Sequence, residues 1–180
     1  MRKVARVVFA IAMVAPVGLI ASPSGAVGGT SCKTASGAAT FSPALPKLGN
    51  TTTVVSTVTA KGAVVGGCAG GGVISATASF TAKFSKPGNC TTLATAGNSN
   101  RAKGKGVLTW NTQRTSTIAM SLTGVNGAPK NTKLAGTVIA GMFKGLRLSG
   151  TVAFVVPAGA CAKTALTKVA FKQLSPRVIK

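Results

Sequence analysis

The chain of 180 residues contains no aspartate, no glutamate, no histidine and no tyrosine, and it has a single tryptophan. Each absence removes a piece of chemistry. Without His, Asp or Glu there is no Ser-His-Asp triad, no carboxylate pair for glycoside hydrolysis and no ordinary general base near neutral pH. The same gap leaves no imidazole or carboxylate to ligate a metal. With one Trp and seven Phe, the chain also lacks the aromatic surface on which single-stranded nucleic acid stacks its bases. A Ser or Thr activated by a desolvated Lys is chemically allowed, but no nucleophile motif accompanies one. The expectation is a protein that is not an enzyme and uses no cofactor or metal.

Charge of one sign is what remains. The chain carries 21 Lys and Arg and a formal net charge of +21, and self-repulsion of that size works against a compact state. Three of these cations, Arg2, Lys3 and Arg6, precede the apolar run from Val7 to Ala21, which contains Pro16 and ends in small residues, Ser24 and Ala26 among them. That pattern predicts a signal peptide over residues 1–26, with cleavage after Ala26. The run is shorter than the ~20 residues of a spanning helix, and no lipobox-like Cys follows it. Setting the three leader cations aside from the 21 leaves 18 on residues 27–180, a length suited to one secreted domain with a real core.

Cys32, Cys68, Cys90 and Cys161 are the means of holding such a domain together. An even number of cysteines behind an export signal points to disulfides, and four allow three connectivities. They lack the paired C-x-x-C spacing of a zinc site.

From Ala35 onward Val, Thr, Ile and Phe alternate with polar residues, and Gly, Asn and Pro punctuate the chain at short intervals. The period is two, with no long stretch of period 3.6, so the fold class is all-β. Candidate strands are 35–45, 51–62, 72–84, 104–111, 114–124, 133–140, 146–156 and 163–174, with turns at Gly49-Asn50, Lys86 to Asn89 and Asn126-Gly127. About eight strands with short connections predict an antiparallel meander, either a closed barrel or a sandwich. Ile118, Met120 and Leu122 share one face, as do Leu146, Leu148, Val152, Phe154 and Val156, and as do Ile74, Ala76, Ala78, Phe80 and Phe84. No helix is expected beyond the leader, and Pro176 to Lys180 reads as a short basic tail.

In a meander the connections alternate between two ends. Cys32, before the first strand, and Cys68, after the second, fall at one end; Cys90, after the third, and Cys161, after the seventh, fall at the other. A turn at Gly49-Asn50 also places residues whose numbers sum to about 100 opposite each other, as 32 and 68 do. The expected pairs are Cys32 with Cys68 and Cys90 with Cys161.

The glycines around Cys68 (Gly66-Gly67 and Gly70 to Gly72) are not a phosphate-cradling loop, because no Gly-Lys-Ser/Thr ending or following helix accompanies them, and they read as a flexible disulfide-bearing connection. Several short elements do recur in a known setting: Gly37 to Pro43, Gly66 to Cys68, Asn89-Cys90, Leu108 to Asn111 with Ser116-Thr117, and Gly141 to Gly145. In these the chain resembles a group of small secreted four-cysteine β-rich proteins of actinobacteria, of unknown function. The resemblance implies an exported four-cysteine β-domain and brings no activity or site.

The densest charge lies in RAKGKGVLTW, residues 101–110. Arg101, Lys103 and Lys105 share one parity and Trp110 takes the other, so the cations face solvent while the ring turns toward Leu108 and the core. Fourteen of the 18 cations after the leader are Lys and four are Arg, a balance suited to diffuse electrostatic attraction more than to bidentate recognition. The function expected is that of a non-catalytic cell-envelope or extracellular protein whose basic surface binds anionic polymers or headgroups, with Arg101, Lys103 and Lys105 as candidate contacts. The partners expected are anionic cell-wall polymer or lipid headgroups, with no specific nucleic acid and no metal. One alternative is a β-barrel carrying a small apolar ligand. A third is an envelope pore subunit, although paired aromatic girdles are missing.

Overall fold

The computed structural model describes residues 28–47, 50, 53–90, 101–124, 131–157 and 159–179. The expected leader and the turn at Asn126-Gly127 lie outside them, as does Gly49. Eight strands follow in order: β1 (Thr30–Leu45), β2 (Thr57–Ala69), β3 (Ala76–Phe84), β4 (Arg101–Trp110), β5 (Thr115–Gly124), β6 (Asn131–Gly141), β7 (Arg147–Val155) and β8 (Leu166–Ile179). Every neighbouring pair is antiparallel, and β8 pairs back onto β1, so the sheet closes into a barrel with strand order β1 to β8. Of the two expected architectures the barrel is the one formed. Closure leaves no strand edge unpaired.

Period-two alternation decides what faces the lumen. On β5, Ser116, Ile118, Met120 and Leu122 are buried and the residues between them are not. Most of the buried alanines, among them Ala35, Ala39, Ala63, Ala78 and Ala102, come from β1 to β4, which also bury Phe41, Val58, Val65, Leu108 and Trp110, while β5 to β8 supply Met120, Leu134, Leu148, Phe154 and Phe171. Large side chains from one half therefore fill the room that alanines leave in the other. Phe171 lies between two rings, with centroids 6.1 Å from Phe80 and 6.5 Å from Phe154. At Gly104 a Cβ would collide with the Thr81 carbonyl oxygen, so only glycine lets β3 and β4 approach this closely.

Both disulfides form as expected, Cys32 with Cys68 and Cys90 with Cys161. The first joins residues directly opposite each other in the β1–β2 register, where paired numbers sum to 100. The expected strand ends require correction here: Cys32 lies within β1 and Cys68 within β2, and the connection between the two strands runs over 46–56. Gly66 and Gly67 read locally as a loop, yet both lie in β2, because the long β1 supplies partners this far along the chain. The turn comes later, where Gly70, Gly71 and Gly72 all take positive φ. Ile74 belongs to that turn and is 68% exposed, contrary to the expected buried face.

Two further expectations fail at the C-terminal side. A four-residue helix, α1 (Ala160–Lys163), sits between β7 and β8 where none was expected, and it carries Cys161. Residues 176–179 are not a tail but the end of β8, with Thr30 opposite Ile179 and Cys32 opposite Arg177. Pro176 lacks an N–H to donate, and it coincides with the irregular step between Ser149 and Thr151 in the β7 pairing. Gln173 reinforces the closing seam, its Nε2 donating to the Cys32 carbonyl at 2.8 Å.

The missing acids have a consequence for stability. All four cysteines are disulfide-bonded, and the chain has no Asp, Glu or His side chain, the groups whose protonation drives ordinary acid denaturation. Acid therefore removes no paired side-chain carboxylate and charges no buried imidazole, and the pH slope of stability below neutrality is small. Thermal unfolding at fixed ionic strength should give Tm values at pH 2.5 and pH 7 within about 3 °C of each other. An acid-induced drop of more than about 10 °C would contradict this.

Candidate functional site

Strand β4 carries Arg101, Lys103 and Lys105 on its outward face, and all three are exposed. Alternate residues of a strand are about 6.8 Å apart, so the three charges form a row along the barrel wall. The register adds a fourth cation that the sequence reading did not bring to this site. Lys83 of β3 stands directly opposite Lys103. Its outward parity was legible, but which residue of β4 it would face was not.

Like charges opposite each other on a sheet are destabilising, and no Asp or Glu exists anywhere in the chain to intervene. The surrounding outward side chains are small or hydroxyl-bearing. Thr81 faces Lys105 from β3; from β5, Thr123 faces Arg101, Ser121 faces Lys103 and Ala119 faces Lys105. On one side of the row a shallow depression is lined by Lys103, Ala119, Ser121, Ala135 and Thr137. On the other, Lys61, Thr59, Ser79, Thr81 and Lys105 border a second one. The whole forms a low, basic, hydroxyl-rich surface, with the half-buried Phe80 and the exposed Val107 as its apolar members beside Lys105.

Trp110 takes no part in that surface. It is 2% exposed and plugs the end of the barrel that holds the Cys32–Cys68 bridge. Its Nε1 donates to Ser116 Oγ at 2.8 Å, and that hydroxyl donates in turn to the Met142 carbonyl. Phe143 meets the indole edge-on with centroids 5.2 Å apart. Asn111 Oδ1 accepts from the backbone N–H groups of Ile74 and Ser75 at 3.0 and 3.3 Å, tying in the glycine turn. A Cβ on Gly71, which takes φ 62, would collide with the Phe143 ring. Leu108 to Asn111, Ser116 and Gly141 to Gly145 thus come together as one closure, which makes these elements structural.

No family model matches the chain, and no curated protein or solved structure matches it either. The site is therefore read from its own geometry.

The lumen offers little to a ligand. Ala35, Ala63, Leu108, Met120, Phe154 and Phe171 are among the residues that surround a cavity of about 40 Å³. This is room for a few water-sized spheres, against the ~300–1,000 Å³ of ordinary ligand pockets. The wall is apolar inside, and outside it carries mostly Thr, Ser, Lys and Arg, with Val64, Val107, Ile139 and Val155 exposed singly among them rather than as the continuous apolar band of a membrane barrel. Among the described residues no cluster of metal-ligating side chains occurs.

Proposed function

We propose that this is a non-catalytic exported protein that binds anionic polymer at the cell envelope or outside the cell. The observation that carries the reading is the juxtaposition of Lys83 with Arg101, Lys103 and Lys105 on one face of a rigid barrel in a chain without acid. A bound polyanion would relieve the repulsion between Lys83 and Lys103 and release its own counterions. The two disulfides are compatible with an oxidising, extracellular setting. Neutral hydroxyls beside the cations leave them fully available to a ligand, since none is an acceptor that carries charge. The ~40 Å³ cavity speaks against the apolar-ligand alternative, and the polar outer wall against the pore.

Binding of the mature protein to a phosphate-bearing cell-wall polymer is expected to fall about 20-fold between 50 and 150 mM salt, the change for four contacts at a slope of about −0.7 each. Equilibrium binding at a salt series measures it. Salt-insensitive binding, or no binding at low salt, would overturn the reading. Fractionation of native cells with salt washes tests the location, and release of the protein by salt is the expected result.

A further inference from the structure

The charge row specifies more than a sign. Resting on the polyanion reading above, we infer that the ligand is an extended chain of polyol units joined by phosphodiesters. It lies along β4 with successive phosphates at Arg101, Lys103 and Lys105, and Lys83 shares the central one.

The first argument is pitch. Two residues of a strand span six backbone bonds and about 6.8 Å. A three-carbon polyol phosphodiester also repeats every six backbone bonds from phosphorus to phosphorus, so its extended pitch is about the same. Three consecutive phosphates therefore meet three consecutive outward cations without either chain bending. A polyuronate repeats through a rigid sugar ring and has no reason to hold this register.

The second argument is the donor set around the row. Lys83 and Lys103 stand opposite each other on adjacent strands, and Thr81, Ser121 and Thr123 stand directly beside Lys105, Lys103 and Arg101. Lys binds phosphate as a compact point charge; Ser121 Oγ donates to the Ala135 carbonyl at 3.5 Å and Thr81 Oγ1 lies 3.4 Å from Thr59 Oγ1, so a phosphoryl oxygen would take over these long hydroxyl contacts on binding. The third is what the surface lacks. The Phe residues of β3, Phe80 and Phe84, pack against the core, and Trp110 is sealed in the barrel end. Phe80, half-buried and held against Phe171, is the ring that reaches the depression beside Lys105, so bases would gain little stacking here, and the low floor of Ala119, Ala135 and Ser121 suits a slender chain.

The test uses the mature protein with both disulfides intact and three probes matched in total charge: poly(glycerol phosphate), an oligothymidylate and polygalacturonate. Two variants of equal net charge accompany it. One is Arg101→Ala/Lys103→Ala/Lys105→Ala. The other is Lys144→Ala/Lys163→Ala/Lys168→Ala, whose cations lie in the β6–β7 turn, on α1 and on β8. All six side chains are exposed, and unchanged far-UV dichroism and Tm establish that both variants fold.

For poly(glycerol phosphate), the β4 variant should lower the slope of log affinity against log salt by about 2, and the control variant by less than about 0.5. Polygalacturonate should bind at least tenfold more weakly, and the oligothymidylate no more tightly than the polyol phosphate. Equal losses in the two variants would overturn the site while leaving general polyanion binding intact. Equal or tighter binding of polygalacturonate would overturn the phosphodiester assignment, and tenfold tighter binding of the oligothymidylate would make the ligand a nucleic acid. Absence of any binding at low salt would remove the underlying function as well.

Discussion

Trp110→Ala is expected to cost about 3–5 kcal/mol of folding stability, the range for removing a large buried aromatic. The indole is 2% exposed, and its removal would leave a cavity at the barrel end. Phe143 sits at φ 64, in the left-handed region, and is pinned between the indole and Gly71. Loss of the indole removes the edge-on partner of Phe143 and opens the barrel end to water. Trp110→Phe keeps most of the volume and removes only the donor to Ser116 Oγ, so it should cost about 1–2 kcal/mol. Urea unfolding followed by far-UV dichroism, with the disulfides intact, measures both. A cost below about 1 kcal/mol for the alanine variant would mean that the end closes without the ring.

Removing the second disulfide is expected to have an effect of the same order. Cys90 and Cys161 are 71 residues apart, and the chain-entropy relation gives about 4.4 kcal/mol for a loop of that length. The Cys32–Cys68 bridge spans 36 residues, for which the same relation gives about 3.8 kcal/mol. The two differ in what stands beside them. Cys32 and Cys68 are already opposed by the β1–β2 ladder, whereas Cys90 and Cys161 join the segment after β3 to α1, which do not belong to adjacent strands. The Cys90 N–H donates to the Pro46 carbonyl at 2.8 Å, so this bridge also gathers the β1–β2 connection at its end of the barrel. A Cys90→Ser/Cys161→Ser variant should lose about 3–5 kcal/mol in urea unfolding. No ion pair between side chains is available to offset that loss in a chain without acids. A loss under about 1 kcal/mol would place the stability of this end elsewhere.

Most of the strands and the cysteine pairing were legible because they depend on period and parity. Ile118, Met120 and Leu122 declare their face whatever the fold, and an antiparallel turn near Gly49-Asn50 brings 32 opposite 68 by counting alone. The errors occur where local chemistry and closure disagree. Gly66-Gly67 carries the marks of a loop and Pro176 those of a tail, yet both are strand, since β1 needs hydrogen-bonding partners along its 16 residues. Ile74 has inward parity only if the β3 pattern extends backwards, but it lies in a turn that starts a new geometry. The position of Trp110 was correct in parity, but its hydrogen bond to Ser116 and its contact with Phe143 depend on three separate connections meeting at one end.

By itself the sequence determined the absence of carboxylate and imidazole, the excess of positive charge, the all-β class and the outward parity of Arg101, Lys103 and Lys105. These follow from composition and from the two-residue repeat of a strand, both of which are local. Only the tertiary structure decided that the meander closes as a barrel and that Lys83 faces Lys103. It also left the lumen filled, with a cavity of about 40 Å³. Those outcomes depend on cross-strand register and on side chains from opposite halves of the sheet meeting in space, and neither is written in the order of residues along any one strand.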